Sequence, residues 1–111
     1  MTWRVYVMLL TGCVCAALGQ LLFKVGASGR VSLGSFMNGW VFLGLALYAV
    51  GTVLWIASLS QAKLTSVYPF TALTFVLVYV LGISVLGEAV STQALVGVAF
   101  VLSGLFLVAF A

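Results

Sequence analysis

Four apolar stretches of about twenty residues each, separated by short polar connections, leave this chain few ways to fold. A helix rises about 1.5 Å per residue, so about twenty residues span the ~30 Å hydrocarbon core of a bilayer. The stretches cover about 4–24, 36–59, 65–86 and 92–110, with connections of about four to eleven residues between them. The expectation is an all-α membrane protein: a single transmembrane domain of four helices over residues 1–111, with no room for a second. Charged residues make up 5% of the chain and hydrophobic ones 66%, whereas an ordinary soluble domain is about a quarter charged. A water-soluble globule is thereby excluded.

The ionisable side chains are Arg4, Lys24, Arg30, Lys63 and Glu88, and there is no histidine. Four scattered cations form no basic face, so no nucleic-acid partner is expected. One acid provides no pair of carboxylates, and no ligand set for a metal, so acid/base or metal catalysis has almost nothing to work with. No glycine-rich phosphate loop ending in Lys-Ser/Thr is present, which argues against nucleotide hydrolysis. An enzyme is thus the least expected class, and no cofactor or metal is implied. Cys13 and Cys15, two apart on a helix, point to different faces and read as small packing residues. Leu10-Thr11-Gly12-Cys13 faintly resembles a lipoprotein processing site, but the chain stays apolar from Val14 to Phe23, so cleavage is not expected.

Local signals place the ends of the spans. Trp3 and Tyr6, beside Arg4, suit an interfacial aromatic belt. Gly26-Ala27-Ser28-Gly29-Arg30 breaks the first run, and Ser91 is a fair N-cap for the last. Pro69, the one proline, is tolerated in a first turn but kinks a helix if it lies deeper. Gly12 and Gly19, Gly44 and Gly51, and Gly97 and Gly104 are each seven apart, almost two turns. Each pair opens one helix face to another backbone, as tight packing or dimer contacts in lipid require. Arg4 and Lys63 fall on one side of the membrane and Lys24, Arg30 and Glu88 on the other, a balance that sets no orientation. Four helices are also few to enclose a path, and many transporters pair two related halves around a shared site. This chain reads as such a half, in a homodimer or in a heterodimer with a related four-helix subunit.

Polar groups at membrane depth are costly and tend to mark a pathway. The first span closes with Gln20 and then Lys24; the alternative for Lys24 is that its amine snorkels to the headgroups. Lys24 and Arg30 share one membrane end and suit a phosphate or pyrophosphate. Gln20, Asn38, Ser66, Tyr68, Thr71 and Thr74 suit the hydroxyls of a sugar. Tyr68, Thr71 and Thr74 recur at a spacing of three along one stripe of the third span. The threonines have a second use, bonding back to their own helix carbonyls. Glu88 is either an ion-pair or gating partner of Lys24 or a loop acid near the start of the last helix.

Taken in order, Gly19-Gln20-Leu21-Leu22-Phe23-Lys24, Leu54-Trp55, Val67-Tyr68-Pro69 and Gly87-Glu88-Ala89-Val90-Ser91 resemble the four-helix, EamA-type members of the drug/metabolite transporter superfamily. Within it, the likeness is to the small subunits of the flippase for undecaprenyl-phosphate-linked aminoarabinose. The fold the likeness implies is similar to that of the small multidrug resistance transporters, whose dimerising fourth helix uses the glycine spacing of Gly97 and Gly104 and whose third helix has a tyrosine where Tyr68 stands. That family keeps a buried glutamate in its first helix; here the matching place holds Ala16. Without a carboxylate in a helix interior, proton-coupled export of a cationic drug has no physical basis.

The resemblance implies a protein of the bacterial inner membrane, in contact with membrane lipids. Joined to the residues, it implies a flippase, or flippase subunit, for a lipid-linked sugar. Lys24 and Arg30 would take the phosphate and the hydroxyl-bearing residues the glycan, in a groove between the first and third spans, with the tail left in lipid. A small-solute or cationic-drug exporter and a non-transporting scaffold are the alternatives.

Overall fold

The computed structural model describes residues 2–111. Its helices are α1 (Trp3–Ala27), α2 (Leu33–Phe36), α3 (Gly39–Leu59), α4 (Leu64–Val67), α5 (Phe70–Ser84) and α6 (Thr92–Ala109). Four stretches are long and apolar enough to cross a membrane: α1, α3, α4 with α5, and α6. The molecule is a slab of 44 × 35 × 18 Å.

The end of the first span departs from expectation in an instructive way. α1 runs on past Lys24 to Ala27, so the ammonium sits in its last turn. The second span begins at Gly39, because Leu33–Phe36 forms a turn of its own, held by reciprocal Ser32–Ser35 bonds. Asn38 caps α3: its side-chain oxygen accepts from the N–H groups of Trp40 and Val41. Its amide nitrogen donates to the Gly26 carbonyl at 2.9 Å, tying the start of α3 to the end of α1. The Arg30 guanidinium donates to the same carbonyl. Gly26 permits this approach, since a β-carbon there would lie 2.9 Å from the Asn38 oxygen.

Arg30 and Asn38, expected to meet a substrate, here supply donors to a helix-end carbonyl that needs them. Asn38→Ala is expected to lower stability by about 1–2 kcal/mol through loss of the cap and this tie. Thermal unfolding in detergent measures it; a loss of transport with unchanged stability would return Asn38 to the substrate site.

The third span is broken at Tyr68-Pro69, between α4 and α5. Proline has no N–H to continue the ladder, and the next turn tightens. Thr71 and Ala72 donate to the carbonyls only three residues back, those of Tyr68 and Pro69. Pro69 therefore interrupts the span close to its start. The helix ends at Ser84, and the chain reverses through Gly87, whose φ of +67° is one that L side chains rarely adopt. Ser91 then caps α6, accepting from the Ala94 N–H at 3.1 Å.

Lipid is as apolar as leucine, so close packing holds these helices together. α1 lies between α3 and α5, and α6 rests against α5. Along the α1–α3 seam, Gly19 faces Gly44 and Gly12 faces Gly51. A β-carbon on Gly19 would lie 2.9 Å from the Gly44 carbonyl oxygen, and one on Gly44 2.9 Å from that of Gly19. Two of the three glycine pairs thus join helices within one chain. Gly97 and Gly104 have nothing within 4 Å of such a carbon, and α6 has no buried residue. On the other side of α1, Val5, Leu9 and Cys13 form a core with Val67 and Phe70. There the Cys13 thiol donates to the Phe70 carbonyl at 3.3 Å, beside the proline break.

Candidate functional site

Two cavities follow one another along the α1–α5 seam. The first, of about 290 Å³, is walled by Gly12, Cys13 and Ala16 of α1 and by Tyr48, Gly51, Thr52 and Trp55 of α3; Tyr68, Thr71 and Thr74 close it. The α1–α3 glycine contact brings α3 near enough to share the cavity with α5. Trp55 and Tyr68 meet edge to face, with ring centroids 6.4 Å apart. The wall is therefore aromatic faces interleaved with hydroxyls, a surface that stacks on a sugar's C–H groups and bonds its O–H groups.

The hydroxyls differ in what they do. Among the described residues, Thr52, Ser58, Ser84 and Ser103 donate to the carbonyl four residues earlier. Thr71 and Thr74 make no such bond among the described residues; the Thr74 hydroxyl meets the Cys13 thiol instead, and both threonines line the cavity. No ionisable carboxylate lines this space; Ala16 is at its wall.

The second cavity, of about 240 Å³, lies further along both helices. Ala17, Gln20, Leu21 and Lys24 line it from α1, and Val78, Leu81 and Gly82 from α5, with Leu86 and Glu88 from the turn beyond. On α1 the lining passes from Cys13 and Ala16 to Ala17, Gln20 and Lys24, steps of one to four residues along one face. On α5 it passes from Thr71 and Thr74 to Val78 and Leu81 in the same way. Lys24 and Glu88 share the space, but among the described residues no ion pair within 4.0 Å joins them. Of the two readings of Glu88, partner of Lys24 or loop acid, the single chain shows no direct pair.

The structure brings Tyr68, Thr71 and Thr74 into one cavity and Gln20, Lys24 and Glu88 into the next. Ser66 is elsewhere: it lines a separate hollow at the α3–α4 loop with Ser60, Gln61 and Lys63. The short α4 carries it to the loop end, apart from the other residues expected beside the glycan. Tyr48 and Thr52 were missed, and Trp55 entered only through a motif. Their signal is present in the sequence: Tyr48, Gly51, Thr52 and Trp55 recur at the spacing of one helical face.

Four membrane-spanning helices with an uncharged aromatic cavity and a cation-bearing one beside it define a small multi-pass membrane protein. Among proteins similar to it, a probable 4-amino-4-deoxy-L-arabinose-phosphoundecaprenol flippase subunit ArnE from Pseudomonas savastanoi pv. phaseolicola is 32% identical, over 96% of this chain and 95% of its own. The ArnE counterpart of Pectobacterium atrosepticum is 30% identical over 92% of this chain and 95% of its own. A probable subunit ArnF of the same flippase, from Proteus mirabilis, is 27% identical over 93% and 90%. The chain belongs to this family of flippase subunits, multi-pass proteins of the bacterial inner membrane. No protein-family model matches it, so the wider EamA-type likeness rests on the motifs alone, and no solved structure matches it.

Proposed function

We propose that the chain is one subunit of a flippase that carries a polyprenyl-phosphate-linked sugar, of the aminopentose class named for its relatives, across the inner membrane. The observation that carries this reading is the succession of the two cavities along α1 and α5: a cation and an amide at one end, hydroxyls and aromatic rings beyond. The phosphate meets Lys24, with Gln20 beside it. The sugar advances into the space between Trp55, Tyr68, Thr71 and Thr74. The polyprenyl tail stays in lipid, since the slab leaves its apolar flanks uncovered.

Lys24 suits this task because a cation beside a phosphate makes stronger hydrogen bonds than a neutral donor. The neutral cavity has no counter-charge for a cationic drug, which disfavours the exporter alternative. A second four-helix subunit completes the path, and the open face of α6 around Gly97 and Gly104 is where it docks. Whether that partner is a copy or a relative follows from co-purification of separately tagged chains.

The test is binding of synthetic lipids to the purified protein. Tyr68→Ala removes the edge-to-face partner of Trp55 and is expected to weaken a polyprenyl phosphosugar about 30-fold, in line with an aromatic contact of about 1 kcal/mol plus a hydrogen bond of about 1 kcal/mol. Polyprenyl phosphate without the sugar should bind the variant as it binds the unaltered protein. Equal weakening of both lipids would remove Tyr68 from the sugar site.

A further inference from the structure

We infer that the cavity shared by Lys24 and Glu88 docks a zwitterionic head, with Lys24 on its phosphate and Glu88 on its ammonium, so that Glu88 is the residue that selects for an amine. The inference rests on the flippase reading above and concerns its first stage, the head docked beside Lys24 before the sugar advances toward Tyr68.

Glu88 is the only acid in the chain, and the fold sets it on the wall of the second cavity, where it stays exposed in the single chain. After α5, the Glu88 N–H donates to the Gly82 carbonyl at 3.1 Å, with Gly87 reversing the chain. The carboxylate then lies over the bare α-carbon of Gly82; a β-carbon there would be 2.6 Å from its Oε1. Glycine at that position leaves room for the acid. Lys24 lines the opposite wall, on α1. Neither side chain makes a hydrogen bond or ion pair among the described residues.

An acid in a passage for a phosphate lipid repels its cargo, at a cost that falls only with distance and water. That cost turns into attraction if the cargo also carries a positive charge. A head with a phosphate at one end and a protonated amine at the other satisfies both walls at once. A volume of about 240 Å³ lies below the usual ~300–1,000 Å³ of ligand cavities, which fits a head no larger than a monosaccharide phosphate.

The experiment measures lipid binding to the full-length purified chain, unaltered and as Glu88→Gln, a change that keeps the side chain's shape. The probes are a short-chain polyprenyl phosphate bearing a 4-aminopentose, the same lipid with its amine acetylated, and phosphatidylethanolamine. The unaltered protein is expected to prefer the free amine over its acetylated form by about tenfold, the fold-change of one charge-assisted contact of about 1.4 kcal/mol. Glu88→Gln should bind both at the level of the acetylated lipid. Gly82→Ala, which displaces the carboxylate, should reduce the preference in the same direction.

If Glu88→Gln keeps the full preference, the inference falls while the flippase reading stands. If phosphatidylethanolamine competes as well as the aminosugar lipid, the two-charge dock stands and the lipid-linked sugar reading falls. Failure of the unaltered protein to bind any of the three overturns both.

Discussion

Lys24→Ala is expected to bring flipping of a lipid-linked aminosugar down to the background of empty vesicles, with folded protein recovered in normal amount. Lys24 is the one cation that lines the α1–α5 cavities, since Arg30 is held at the Gly26 carbonyl. A charged hydrogen bond contributes about 1.5–3 kcal/mol, or roughly 10- to 150-fold in occupancy by phosphate. Loss of the ammonium also leaves Glu88 facing the phosphate alone, which deepens the defect. Lys24→Arg keeps the charge and should retain much of the rate. The measurement is dithionite-type protection of a fluorescent lipid analogue in proteoliposomes. Full activity in the alanine variant, with the protein folded, would leave the path without its anion site.

The second large effect concerns the glycines. Gly44→Leu or Gly19→Leu is expected to abolish the folded chain, because the atom each new side chain meets is a backbone oxygen that cannot move aside. Even the first added carbon would be 2.9 Å from it. Overpacking of this kind costs about 1–3 kcal/mol for small additions, and a leucine forces the two helices apart altogether. Separating α1 from α3 also opens the cavity that Trp55 and Thr52 wall. Gly97→Leu and Gly104→Leu meet no atom in the single chain and should leave its thermal unfolding in detergent unchanged. They should instead weaken association with a second subunit at the proposed α6 face, read by light scattering of the co-purified chains. Equal stability losses at Gly44 and Gly97 would show that the α1–α3 seam is no tighter than the open face of α6.

The candidate site was legible to different depths for different residues. Tyr68, Thr71 and Thr74 share a stripe by spacing alone, and the fold places that stripe on a cavity. Gln20 and Lys24 stood out because amides and ammonium groups are rare at the end of an apolar run. Arg30 and Asn38 carry the same kind of chemistry, yet their donors satisfy one helix-end carbonyl. Nothing in residue type separates a cation that meets a substrate from one that caps a helix. Ser66 was lost for a similar reason: the break at Pro69 decides which residues stay with the groove and which with the loop.

By itself, the sequence determined that four helices cross a membrane, where their connections fall, and how few charges lie along them. Those properties depend on run length, residue type and short-range spacing, which are local. Only the tertiary structure decided that Gly12 and Gly19 meet Gly51 and Gly44 while Gly97 and Gly104 stay open. It alone set Glu88 over Gly82 and across from Lys24. Helical periodicity tells which side chains share a face, but which face meets which is settled by contacts between residues far apart in the chain.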